Sequence, residues 1–208
     1  MPLIFTAIGY GVIMLAIAPY YSMIKNVSSL VMVQNTPTFH TQLDSIYKKP
    51  PIDLDQQPDT VSTDVITWPK YGEQYGEITC DRIQLNAPVY FGDNNDILRE
   101  GAGQYIGSFL PGYNRLILLA GHNTTCFKPL QNVAAGDIFT FTTSYGIYQY
   151  EVTETRIADR NDSSAYDLLM EEEQLIMYTC YPFETLAGTK TDRLFVYAKK
   201  IAGPTVVD

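Results

Sequence analysis

Three groups suited to acyl transfer stand at the edges of apolar runs in this chain. Leu175-Ile176-Met177-Tyr178-Thr179 leads into Cys180, and Leu116 through Gly121 delivers His122, one of only 2 histidines. Arg193 opens a third apolar run, Leu194-Phe195-Val196-Tyr197-Ala198. A thiolate can attack a carbonyl, and an imidazole can take up a proton and return it to a leaving amine. A guanidinium beside the thiol can stabilise the oxyanion that forms between those steps. Thr179 could brace such a site through its hydroxyl. Taken singly, each residue has a plainer reading: a small buried side chain, a loop histidine, a solvated charge. The three lie far apart in sequence, so only the fold can assemble them, and strand ends would place them rigidly.

The elements that must do this read as short strands. Ile78-Thr79-Cys80 and Val89-Tyr90-Phe91 are strand-like between turn residues. Asp93 to Asp96 caps a short helical turn through Arg99. Gly101, Gly103, Gly107, Pro111 and Gly112 mark a long irregular connection. Arg115 to Ala120 is a continuous apolar strand, expected to be buried on both faces. Cys126 to Val133 reads as a short helix. Asp137–Thr143 and Ile147–Ile157 alternate about Ser144-Tyr145-Gly146, which predicts a hairpin. Asp162-Ser163-Ser164 is expected to cap a helix over Tyr166–Glu172. Many short strands with small helices between them predict a mainly β fold, a barrel or sandwich.

Composition narrows the function. With 208 residues, 16 tyrosines and 9 phenylalanines, the chain can fill one sizeable core rich in strand formers. A net charge of −9 argues against a nucleic-acid partner, because phosphate binding needs a basic surface. The 3 cysteines make no disulfide framework and no Cys-x-x-Cys pair. His122 and Cys126 lack converging partners, so no metal site is expected.

Residues 1–25 differ from the rest. Leu3 to Ile24 carries no charge and is about 20 residues long, enough for one helix to cross a bilayer. An uncleaved N-terminal transmembrane helix is expected there. No basic residue precedes it and Lys25 follows, so charge bias does not support an N-in orientation. Residues 26–75, with Pro37, Pro50, Pro51, Pro58 and Pro69 among polar residues, read as a stalk or linker. Trp68 is a candidate for docking that stalk on the domain, or for the core. The catalytic domain is expected over residues 76–208.

Leu119-Ala120-Gly121-His122, Thr179-Cys180 and Arg193 before its strand, in that order, resemble the sortases, the membrane-anchored cysteine transpeptidases of Gram-positive cell surfaces. The resemblance covers roughly residues 76–201. Gly76-Glu77-Ile78, Gly101 to Tyr105, Leu110-Pro111-Gly112 and Thr179 to Phe183 are most similar to class D members. One departure is Ile176-Met177-Tyr178, where the family often shows Thr-Leu-x before Thr-Cys; both sets can fill a buried strand.

The resemblance implies an eight-stranded sortase β-barrel with short helices behind a membrane anchor. It implies Cys180 as nucleophile, His122 as general acid/base and Arg193 as oxyanion or substrate stabiliser. It further implies cleavage of a Leu-Pro-x-Thr-Gly or Leu-Pro-x-Thr-Ala sorting signal after Thr. The acyl group of the surface protein then passes to an amine of a peptidoglycan precursor, or to water, on the outer side of the cell membrane. No cofactor is implied. In the family, the region matching about 158–174 helps bind the signal. Its Asp159, Asp162, Asp167 and Glu171-Glu172-Glu173 could hold calcium, though a solvated helix face accounts for them without it. A Cys80–Cys126 disulfide is conceivable outside the cell, but two small buried side chains is the reading taken.

Two rivals fit less well. A papain-like enzyme usually places cysteine before histidine, and an L,D-transpeptidase places arginine close after its cysteine, where Tyr181-Pro182 stands here. A non-enzymatic, membrane-tethered β domain for adhesion or assembly would require the three groups to stay apart.

Overall fold

A computed structural model describes residues 57–183 and 190–208. The expected transmembrane helix over 1–25 and the stalk up to residue 56 lie outside the described residues. Among the described residues, no helix is long and apolar enough to cross a membrane.

The strands are β1 (Thr60–Ser62), β2 (Gln74–Cys80), β3 (Leu85–Phe91), β4 (Ala102–Gln104) and β5 (Leu116–Ala120), then β6 (Ile138–Thr143), β7 (Ile147–Asp159), β8 (Gln174–Tyr181), β9 (Asp192–Ala202) and β10 (Thr205–Val207). Eight of them close a barrel in the order β2-β3-β4-β5-β8-β9-β7-β6. The pairs β3/β4 and β5/β8 are parallel, and the other barrel pairs are antiparallel. Closure leaves no open edge within the barrel. The eight-stranded, mainly β expectation holds.

The pleat sorts each strand into two faces. Ile117 and Leu119 of β5, Leu175 and Met177 of β8, and Leu194 and Val196 of β9 point into the barrel with Ile78, Val89, Phe139, Phe141 and Tyr150. Leu116 and Leu118, Ile176, and Phe195 and Tyr197 point outward into a second cluster. That cluster is roofed by Ala165 and Leu168 from the β7–β8 connection. β5 is therefore buried on both faces, as its unbroken apolar run predicts.

Three expectations are corrected. First, no helix forms over Tyr166–Glu172. Asp162 Oδ1 accepts the backbone N–H and the hydroxyl of Ser164, and Asp167 Oδ1 accepts the N–H of Leu169. These local side-chain bonds replace a helical ladder, while the Tyr197 hydroxyl holds the Ala165 carbonyl at 2.7 Å. Second, the glycine-rich connection after Gly101 contains β4. It carries no apolar pattern because Gly103 must be bare: a Cβ there would lie 2.5 Å from the Gly92 carbonyl oxygen. Third, the segment after Cys126 forms only a short 3-10 turn, Lys128–Asn132.

Residues 57–73, read from sequence as part of a stalk, lie against the barrel, and residues 74–75 already belong to β2. β1 pairs in parallel with β10, and the Gln57 amide clips both backbone groups of Ile147 at 2.9 and 3.0 Å. Trp68 meets Phe91 and Tyr113 edge-on, at ring separations of 6.2 and 5.5 Å. The capped turn after Asp93 is α1 (Asn95–Glu100), with the Asn94 side chain accepting the Ile97 N–H.

Candidate active site

β8 carries Cys180 near its end, directly opposite Arg193 in the antiparallel β8/β9 register. Partners in such a pair have Cα atoms roughly 4.5–5.5 Å apart, with side chains on one face. That face is the outer one, because Cys180 shares the parity of Ile176 and Tyr178, and Arg193 that of Phe195 and Tyr197.

β5 supplies the third group. Its parallel register with β8 sets Ala120 opposite Tyr178. Two residues further along each strand stand His122 and Cys180. The pairing continues past the strand end: the Gly121 N–H donates to the Tyr178 carbonyl at 3.2 Å. The Thr179 hydroxyl donates to the Gly121 carbonyl at 2.7 Å, from a side chain that is fully buried. Thr179 thus ties the residue before His122 to the residue before Cys180. The register thus carries His122 and Cys180 to the neighbouring ends of β5 and β8, with Arg193 abreast of Cys180 on β9.

The chain then turns tightly. The His122 carbonyl accepts the N–H groups of Thr125 and Phe127. Gly121 is needed for this, since a Cβ there would fall 2.5 Å from the Phe127 ring. The sequence reading missed Asn123. Its buried amide donates to the carbonyls of Cys180 at 2.8 Å and Pro182 at 3.2 Å, locking the histidine turn to the cysteine strand. A polar residue directly after His122 was the only available signal.

Electrostatics set the resting state. His122 is half-buried; burial, then the nearby Arg99 charge, lower its pKa, so the neutral imidazole is favoured. The Tyr178 ring stacks on Phe195 at 5.6 Å, and its hydroxyl pKa is pushed up to about 12, by burial first and then by the Asp93 charge. Tyr178 therefore stays a hydrogen-bond donor at neutral pH. The sequence reading placed Arg99 and Asp93 in a capped turn but gave them no part in the site, because α1 and the loop before it lie far upstream of Cys180. The Arg193 guanidinium donates to the Asp192 carbonyl at 2.9 Å.

Cys80 and Cys126 are free thiols, Cys80 buried and Cys126 half-buried, and burial raises both pKa values. No cluster of three or more metal-ligating side chains occurs among the described residues. Of the acidic residues near 158–174, Asp162 pairs with Arg156, and the Glu173 side chain is buried against Lys200.

A family profile described as "Sortase domain" matches residues 78–201. The chain belongs to the sortase family. Sortase D of Bacillus subtilis (strain 168) is 35% identical over 133 residues, covering 64% of this chain and 67% of that protein. A sortase D5 transpeptidase from Clostridium perfringens superposes with a TM-score of 0.58 at 25% identity, over 65% of this chain and 83% of that one. Sortase C of Streptococcus pneumoniae superposes with a TM-score of 0.56 at 28% identity, over 64% and 70%. These likenesses support a sortase-type cysteine transpeptidase, with class D relatives among the most similar proteins.

Proposed function

We propose that Cys180 attacks the carbonyl after Thr in a Leu-Pro-x-Thr-Gly or Leu-Pro-x-Thr-Ala sorting signal, with His122 as general acid/base and Arg193 beside the developing oxyanion. The observation carrying this reading is the register: Cys180 opposite Arg193 across β8/β9, with His122 two residues past the Ala120–Tyr178 pair.

The positions support each role. The neutral imidazole accepts the thiol proton as sulfur bonds to carbon. The tetrahedral intermediate collapses with expulsion of the Gly or Ala amine, which takes that proton. A thioacyl-enzyme remains on Cys180. An amine of a peptidoglycan precursor then attacks, and its proton returns to sulfur; water in its place gives hydrolysis. Arg193 presents a fixed cation on the face where negative oxygen develops, which lowers both barriers. Thr179 and Asn123 act as positioning residues. No metal or cofactor enters any step.

The wider reading keeps residues 1–25 as a single-pass membrane anchor followed by a connecting segment, and joins residues 57–75 to the catalytic domain on the outer side of the membrane. Surface proteins bearing the signal and the precursor amine would be its partners. To test the reaction, the detergent-solubilised full chain is mixed with Leu-Pro-x-Thr-Gly and Leu-Pro-x-Thr-Ala peptides and examined by intact-mass spectrometry. A thioacyl adduct on Cys180, released by hydroxylamine and absent in Cys180→Ala, is expected. A folded protein with an alkylatable Cys180 and no adduct with any peptide would refute the substrate assignment.

A further inference from the structure

The amine expelled in the first half-reaction gains a proton, and the amine that resolves the thioacyl-enzyme loses one. On the proposed assignment, on which this inference rests, both exchanges use His122. Both amines therefore pass on the β5 side of Cys180, away from Arg193 on the β9 side.

That side has a definite wall. Beyond β5 lies β4, where Gly103 pairs with Ala120, itself the partner of Tyr178. The space a Gly103 side chain would occupy is taken by the Gly92 carbonyl, a Leu98 methyl and the Asp93 Cα, at 2.5, 2.9 and 3.0 Å. The Gly92 N–H donates to the Gln104 carbonyl at 2.9 Å and fixes the loop there. The loop before α1 is thus seated on the outer face, one strand over from His122.

Asp93 is the charged group this seating delivers. It is half-buried, and its field reaches the Tyr178 hydroxyl across Ala120. Among the described residues it has no salt bridge and no side-chain hydrogen bond to another residue. Arg99, whose charge helps lower the His122 pKa, is paired with Asp96 at 3.0 Å. A half-buried carboxylate without a counter-charge, beside the path of an amine, is complementary to an ammonium.

We propose that Asp93 determines acceptor specificity, receiving a cationic primary amine so that aminolysis competes with water. The ammonium releases one proton to solvent. The neutral nitrogen then attacks the thioester carbonyl, forming the N–C bond. The C–S bond breaks with its electron pair going to Sγ, and the second nitrogen proton passes through His122 to sulfur. The products are an amide and the free thiol.

The test uses the full chain in detergent, charged with a sorting-signal peptide. The acyl-enzyme is divided among n-propylamine, which is cationic at neutral pH, hydroxylamine, which is uncharged there, and water. Asp93→Asn should lower the ratio of propylamine to hydroxylamine product on the order of tenfold, and Asp93→Glu should recover part of it. Thermal melts of both variants establish that they are folded. An unchanged ratio, or equal loss with both nucleophiles, would overturn the assignment of Asp93 alone. Failure of the parent protein to form any Cys180 adduct would overturn the reaction, and this inference with it.

Discussion

Glu173 is the acidic residue whose removal should cost this fold most. Its side chain is 3% exposed, where the β7–β8 connection enters β8. Oε1 accepts the Tyr150 hydroxyl at 2.7 Å and the Gly112 N–H at 3.1 Å. Oε2 accepts the Asn114 N–H at 3.2 Å and the Lys200 ammonium at 3.3 Å. Lys200 is itself only 15% exposed; it also donates to the Pro204 carbonyl at 2.8 Å and lies 5.3 Å from the Tyr148 ring centre. Glu173→Ala would strand a buried cation, a hydroxyl and two backbone donors together. Removing one partner of a buried ion pair costs about 3–5 kcal/mol. Each orphaned donor alone would cost about 1–3 kcal/mol, but these terms overlap and entering water offsets some of them, so about 3–5 kcal/mol is the expected total. In a domain of this size that lowers Tm by roughly 6–20 °C. Urea unfolding followed by Trp68 fluorescence, with an unchanged m-value, would measure it. The charge argument makes a second demand: adding Lys200→Met to Glu173→Ala should restore part of the loss, because the stranded ammonium is gone. A loss under about 1 kcal/mol for the single variant, or further destabilisation in the double, would refute the reasoning.

Other outcomes follow from the same structure. Arg99→Gln removes a positive charge near His122, so the His122 midpoint should rise in an NMR titration; a fall or no change would dismiss the contact. Asp137 is held below its ordinary pKa chiefly by its hydrogen bond from Arg82. Its contribution is therefore complete above the unfolded carboxylate value of about 4 and fades as pH falls through the lower folded value. Asp137→Asn should then be less stable than the parent at pH 7, with the gap closing in strong acid; a gap independent of pH would contradict this. Gly103→Ala drives a methyl into the Gly92 carbonyl and should cost about 1–3 kcal/mol; a neutral result in a thermal melt would show that the loop before α1 is not seated as described. Asn123→Ala frees the Cys180 and Pro182 carbonyls and should slow acylation more than it lowers Tm, whereas a pure stability loss would leave Asn123 no positioning role.

The site was legible in sequence to the extent that strand chemistry is local. Apolar runs ending in Gly121-His122 and Thr179-Cys180, and one beginning after Arg193, fall on β5, β8 and β9 because short unbroken runs of strand-forming residues declare themselves without tertiary context. The β6–β7 hairpin was readable from its alternation about a turn, and α1 from the capping residues before it, which are local signals too. β4 was not, since its three residues are shaped by what packs on them: Gly103 is bare to admit the Gly92 loop, and buried Gln104 is bonded to Tyr75 and to the Phe109 carbonyl. The helix expected over Tyr166–Glu172 failed because Asp162 and Asp167 bind nearby backbone, and the outer face of β9 holds the segment as a loop.

What the sequence determined by itself was the set of chemical groups, their order and the strands that carry them. Only the tertiary structure decided their relation. Parallel pairing of β5 with β8 and antiparallel pairing of β8 with β9 fix which residues stand abreast, and a slip of one residue in either would turn His122 or Arg193 to the opposite face. The same pairings decided that Glu173, one of six acidic residues in a polar-looking loop, is buried and bonded while its neighbours Glu171 and Glu172 are exposed. Burial and charge pairing depend on residues brought from 27 and 61 positions away, Lys200 and Gly112, and no local pattern encodes them.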